Sequence, residues 1–198
     1  MSQFNYENVD HRLEVVDRSA TTFRSEHYFD MKAREPSRFF IREYGWTGSG
    51  MASEQVPELV TGIDKWGFPL QRVHGPVVIE NNLRILVIDL GRTISKGERV
   101  EVRFKHKMKD LSNTFQSRLS FAPSRKIRGT LKLSVSLPDW KQLRVMYQKF
   151  THDTQKIVDS TQIEPEVPTS GRLIFVKEIV KPSAENMGHK LVWSYDDG

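Results

Sequence analysis

Cysteine is absent from all 198 residues, which excludes disulfides, cysteine nucleophiles and cysteine-ligated metals. Long apolar runs are also missing. The longest, such as Ile85 to Ile88, are strand-sized, well short of the roughly 18–20 residues a membrane helix needs. The opening stretch, MSQFNYENVD, has neither the basic nor the apolar region of a secretory signal. These absences lead to the expectation of a soluble, cytoplasmic protein with no membrane span. Apolar residues nowhere recur convincingly at i, i+3, i+4, i+7, so no amphipathic helix is expected.

What the chain does have is strand patterning. His11 to Asp17 is apolar at Leu13 and Val15, a polar turn follows at Arg18 to Thr21, and Thr22 to Lys32 alternates strictly. Period-two alternation marks a half-buried strand, because successive side chains point to opposite sheet faces. These two runs read as a hairpin. Arg38 to Trp46 is a β-rich aromatic run. Arg99 to Lys109 is the cleanest alternation, with Val100, Val102, Phe104, His106 and Met108 on one face and charges on the other. Further strands are expected at 77–79, 83–90, 115–121, 131–137, 143–147, 156–158, 172–180 and 190–195. Residues 45–76 hold six glycines and three prolines, and read as one long loop with a helical turn near Glu54 to Leu59. The expected fold is all-β: a single antiparallel β-sandwich spanning 1–198, with about nine or ten strands and the loop 45–76.

Catalytic spacing is not evident. The six histidines, at 11, 27, 74, 106, 152 and 189, form no HxH, HxxxH or HExxH pattern. His27 and His106 fall on apolar strand faces, where a histidine is more often a core residue than a ligand. Trp46 to Gly50 (WTGSG) is neither a nucleophile elbow nor a phosphate loop. No enzyme activity and no cofactor are expected.

The charge distribution is the functional hint. Residues 92–132 hold twelve Lys/Arg against three acids, a segment of net +9 within a chain of net +5. Arg103, Lys105, Lys107 and Lys109 share one strand face at intervals of about 6.6–7 Å. Arg125, Lys126 and Arg128 add to them. Such a row needs acids on neighbouring strands or an anionic partner, phosphate being the natural complement. A lysine-rich solvent face that keeps an edge strand soluble is the competing explanation. Aromatics are not interleaved on the basic face, which disfavours single-stranded nucleic acid.

Three stretches, LEVVDRSATTFRSEHYFDMKA (13–33), LRILVIDLGRTISKGERVEVRFKHKM (83–108) and LSFAPSRKIRGTLKLSVSLP (119–138), carry a resemblance. The pattern "LGRxIxKGExVxVxF" followed by "LxLxVxLP" resembles immunoglobulin-like β-sandwich modules. These occur as accessory domains of bacterial signalling, regulatory and antiphage-defence proteins. The resemblance implies a sensor or interaction module whose chemistry comes from a partner domain.

The functional expectation is therefore a non-enzymatic sensor or binding module for an anionic ligand, a nucleotide or phosphorylated molecule. Its expected contacts are Arg103, Lys105, Lys107, Lys109, Arg125, Lys126 and Arg128, together with Trp46, Trp66, Arg72 and His74 around the long loop. Other candidate partners are an acidic protein surface and, less favoured, nucleic acid. The alternative is a protein-interaction or assembly domain, including a homo-oligomer, that uses a sandwich edge or the 45–76 loop.

Overall fold

The computed structural model describes residues 3–48, 57–60, 72–80, 83–122, 127–169, 171–182 and 186–196. Fourteen strands and no helix occur among them. In order they are β1 (Phe4–Val15), β2 (Thr22–Ala33), β3 (Ser37–Gly45), β4 (Glu58–Leu59), β5 (Arg72–Glu80), β6 (Leu83–Ile94) and β7 (Arg99–Lys109). Then follow β8 (Arg118–Phe121), β9 (Thr130–Pro138), β10 (Lys141–Thr151), β11 (Ile157–Ile163), β12 (Glu166–Thr169), β13 (Arg172–Val180) and β14 (Met187–Asp196).

The strands form three sheets. A seven-stranded sheet runs β12-β13-β9-β1-β2-β7-β4, a four-stranded sheet β11-β10-β14-β8, and a three-stranded sheet β3-β6-β5. The arrangement is all-β and sandwich-like. Both smaller sheets pack on one face of the large one. Phe40 of β3 lies against Phe4 of β1 and Phe29 of β2, and Phe121 of β8 against Tyr6 and His11 of β1. The core between the layers is mainly apolar, with Phe23, Phe29, Ile88, Val102, Leu131 and Val145 fully buried. Burial of such side chains contributes roughly 1.5–3 kcal/mol each.

The expected hairpin is β1–β2, with Leu13 opposite Ser25 and His11 opposite His27. Its turn is built by Asp17, whose carboxylate accepts from the Ser19 hydroxyl at 2.6 Å and the Thr21 amide at 3.0 Å. β7 alternates exposed and buried along its whole length, as its sequence requires. Other elements depart from the sequence reading. β1 starts at Phe4, because a bulge between Tyr6 and Asn8 resets the parity. The buried set is Phe4, Tyr6, Val9, His11, Leu13 and Val15, and one extra residue hides the period-two signal at the start. β1 also pairs with β9 in parallel, so the large sheet is mixed rather than purely antiparallel. The region 45–76 is not one uninterrupted loop. Glu58–Leu59 pairs with β7 as a short strand, not a helical turn, and Arg72 onward is β5. β12 lies within the expected loop 162–171.

Arg172 fastens the far end of the large sheet. Its guanidinium donates to the carbonyls of Val15 (2.6 Å) and Ser136 (3.0 Å), joining β13, β9 and β1. No helix among the described residues is long and apolar enough to cross a membrane.

Candidate functional site

The basic strand face is answered in part from within. Arg99 makes a bidentate pair with the buried carboxylate of Asp30, which also accepts from Asn8 at 2.8 Å. Burial pushes the Asp30 carboxyl up, but these hydrogen bonds and the charge of Arg99 outweigh it and hold the group below its ordinary range. Arg103 lies 3.6 Å from Glu26 and over the Tyr28 ring at 5.2 Å. Lys105 stands in register between Glu26 of β2 and Glu58 of β4. Lys107 faces another cation, Arg24, and Lys109 faces Thr22. Neighbouring acids thus account for half of the row. Arg128 is 3.5 Å from Glu7, on the other side of β1 from β7. Arg125, Lys126 and Trp66 lie outside the described residues. Arg72 is placed by its backbone in β5, and His74 is exposed on the same strand, opposite Val87.

Trp46 is a core residue. It is 3% exposed, stacked 4.8 Å from Phe115 and edge-on to Phe23 at 5.3 Å. Gly48 allows this packing, because a Cβ there would lie 2.5 Å from the indole. Phe115 is held in place by Asp110, whose buried carboxylate accepts from the Phe115 amide at 2.6 Å.

A different constellation lies inside. The second layer of the sandwich is split. β3 is an edge of the three-stranded sheet and β8 an edge of the four-stranded sheet, and they face each other across the inner surface of β1, β2 and β7. A cleft of about 880 Å³ runs between them. Residues 39–47 form one wall and residues 115–122 supply the other. Its floor includes His11, Ser25, His27, Phe104 and His106. One end is pinned shut, with the Gln116 amide donating to Thr47 Oγ1 at 2.8 Å and the Thr114 hydroxyl to the Thr47 carbonyl at 2.9 Å.

Three histidines meet on this floor. The rings of His11 and His27 are edge-to-face at 4.5 Å, His27 stacks on Phe104 at 4.7 Å, and His106 lies opposite Ser25. Burial, with Arg42 and His106 nearby, lowers His27 to about 3. His11 is driven well below its ordinary value by burial, then by His27 and Arg42. His11 and His27 are therefore neutral rings at pH 7. They do not converge on one point: no set of three His, Asp or Glu side chains among the described residues could hold a metal ion.

Arg42 reaches into the cleft from β3. Its guanidinium sits over the rings of Phe121 at 4.9 Å and Phe29 at 5.6 Å, and makes neither an ion pair nor a hydrogen bond with a described residue. Burial lowers its pKa. Near it, His11 Nε2, His27 Nδ1 and Tyr44 Oη are buried without a hydrogen-bond partner among the described residues. Burial pushes the Tyr44 phenol up to about 12. Buried polar groups are ordinarily satisfied, so three unmet atoms around one cleft call for an explanation.

No family model matches the chain, and no curated protein matches it. Solved structures do. A two-domain M1 zinc metallopeptidase bound to L-tryptophan aligns with TM-score 0.57 and 11% identity, over 97% of this chain and 43% of that one. An M1 zinc metallopeptidase from Deinococcus radiodurans aligns with TM-score 0.56 and 11% identity, over 96% and 42%. A protease described as putative, from Parabacteroides distasonis, gives TM-score 0.60 and 10% identity, over 98% and 40%. At this identity the likeness is one of fold. The chain spans about two-fifths of the length of these proteins.

Proposed function

We propose that the chain is a non-enzymatic binding module that recognises an anionic ligand in the cleft between β3 and β8. The observation that carries this reading is Arg42. Its half-buried guanidinium lies over two aromatic rings with Glu43 near but not paired to it, so its N–H donors stay open to an incoming anion. An incoming carboxylate or phosphate would take its paired N–H donors in bidentate fashion. The neutral imidazoles of His11 and His27 and the Tyr44 hydroxyl offer further hydrogen bonds. Phe29, Phe104 and Phe121 around these groups lower the local polarity and strengthen such contacts.

This reading keeps the anionic ligand expected from the sequence, a nucleotide or phosphorylated molecule among the candidates, and moves its site from the outer basic face to the interior. Lys105, Lys107 and Lys109 keep a steering role, raising the local concentration of anions. As an accessory module of a cytoplasmic signalling or defence protein, it would report occupancy to a partner domain. Fold-sharing peptidases more than twice its length fit a domain that works beside another. Calorimetry against inorganic phosphate, mononucleotides and glutamate-bearing peptides, at low and moderate salt, tests the proposal; no heat with any anion refutes it.

A second reading, a protein-interaction or assembly domain, has its own support. Phe39 and Ile41 on β3 and Val77 on β5 are 44%, 56% and 53% exposed on the outer face of the three-stranded sheet. Light scattering on the wild type and Ile41→Lys checks it. The expected result is an oligomer that the substitution disperses; a monomer in both refutes it.

A further inference from the structure

We infer that the ligand of the cleft is an extended peptide segment with an acidic side chain, bound as an added strand between β3 and β8. The acidic side chain rests on the anion-binding reading above; the strand geometry does not.

Sheet edges carry rows of unpaired N–H and C=O groups, and proteins ordinarily cover or disrupt them. Here two edges face one another with a cleft between. Its walls are lined by consecutive residues, 39–45 on β3 and 118–120 on β8. Side chains alternate in and out of a sheet, so only a wall seen edge-on, backbone included, presents consecutive residues. The opening is therefore bordered by main chain, as strand addition requires.

Direction and length follow from the connections. β3 runs toward the Thr47–Gln116 pin and β8 runs away from it. An inserted strand lies antiparallel to one and parallel to the other, joining the two small sheets into one. β8 has four residues, which sets a ladder of about 13 Å and a segment of roughly four to six residues. The pin closes one end, while Gln3, Ala122 and His152 line the cleft beyond the strands.

The floor dictates the inward side chains. Arg42 stands mid-way along β3 and takes a carboxylate. Leu13, Phe104 and Met108 offer apolar surface on either side. A five-residue strand points residues one, three and five inward, so the matching pattern is apolar–x–acidic–x–apolar. A compact nucleotide would use Arg42 but leave both strand edges unpaired.

The test uses the capped peptide Val-Thr-Glu-Thr-Val, its glutamine analogue at the centre, and a version N-methylated at both threonines. Affinities are read by calorimetry, and backbone pairing by hydrogen exchange on the full chain. Binding of the first peptide is expected, with slowed exchange in residues 39–45 and 118–121. The glutamine analogue should bind at least tenfold more weakly, as should the N-methylated one. Arg42→Met should erase the difference between glutamate and glutamine. Should phosphate or a mononucleotide bind through Arg42 while no peptide does, strand addition is overturned and the anion reading stands. Equal binding of the glutamate and glutamine peptides, with protection of both edges, upholds strand addition and removes the anion reading. If both edges are already fully protected in the free protein, a segment of the chain itself fills the slot and the inference fails.

Discussion

Mild acid should unfold this protein, and the interior histidines set the size of the effect. His11 is buried and His27 half-buried between the sheets, and His27 is lowered to about 3. In the unfolded chain each returns to about 6.5. The unfolded state therefore binds more protons below that value, so stability is complete above pH 6.5 and lost as pH falls toward the folded values. The slope is about 1.4 kcal/mol per pH unit for a ring that stays neutral in the fold, so at pH 5 His27 has removed about 2 kcal/mol. His11, lowered in the same direction, adds to this loss, which is a sizeable part of the roughly 5–15 kcal/mol that holds a domain. His189, lowered to about 4 by burial and Lys149, acts in the same direction. Carboxylates do not confuse this window. Burial pushes the Asp17 carboxyl up, yet hydrogen bonds from Ser19, Thr21 and Thr22 hold it at about 2, so its contribution is lost only in stronger acid. Urea denaturation followed by circular dichroism at pH 7.5, 6.5, 5.5 and 5.0 measures the loss. His27→Phe, which keeps the stack on Phe104, should remove about half of the slope assigned to the pair. Wild-type stability constant within about 1 kcal/mol from pH 7 to pH 5 would refute the burial and neutrality of these rings.

Arg42→Met should leave the stability of the ligand-free protein within about 1 kcal/mol, since the guanidinium is only half-buried and has no ion pair or hydrogen bond to lose; a larger loss in urea melts would mean that the guanidinium has a protein partner. Arg99→Ala should destabilise by about 1–3 kcal/mol, because the Asp30 carboxylate stays buried with only Asn8 to answer it, and Asp30→Asn in the same background should recover part of that loss. Lys107→Glu should leave stability within about 0.5 kcal/mol, since it replaces a like-charge contact with Arg24 on an exposed face. Gly48→Ala should cost about 1–3 kcal/mol by driving a methyl into Trp46, and thermal melts beside Gly97→Ala, where only the Lys32 side chain lies near, separate this clash from backbone strain.

The sequence carried much of the fold because half-buried strands write their period openly. β2 and β7 are legible residue by residue, and the β1–β2 hairpin can be read from its polar turn. The bulge at Tyr6–Asn8 and the two-residue β4 are not legible, since the first breaks the period and the second is too short to have one. β11 has no buried face to pattern, its residues from Ile157 to Gln162 being exposed, so only a fragment of it was visible. The site shows a different limit. His11, His27 and His106 look scattered along the chain, yet they share the inward parity of three adjacent strands. Carrying the hairpin register forward would have set His11 opposite His27, and the β2–β7 register puts His106 one pair away. Arg42 lay within a run read simply as aromatic and β-rich, and nothing local marks it as lacking a partner. That property belongs to the packing of two sheets, which period and composition do not encode. The basic row on β7 was legible, but its pairing with Asp30 and Glu26 depended on a register the sequence did not supply.

Amide shift mapping on the ¹⁵N-labelled protein, titrated with whichever phosphate, nucleotide or acidic peptide gives heat, tests most directly where the anion goes. The expected result is a contiguous set of changes in residues 39–45 and 118–121 and on the floor at His11 and His27, abolished by Arg42→Met. Changes confined to residues 103–109, unaffected by that substitution, would contradict it and return the site to the outer basic face.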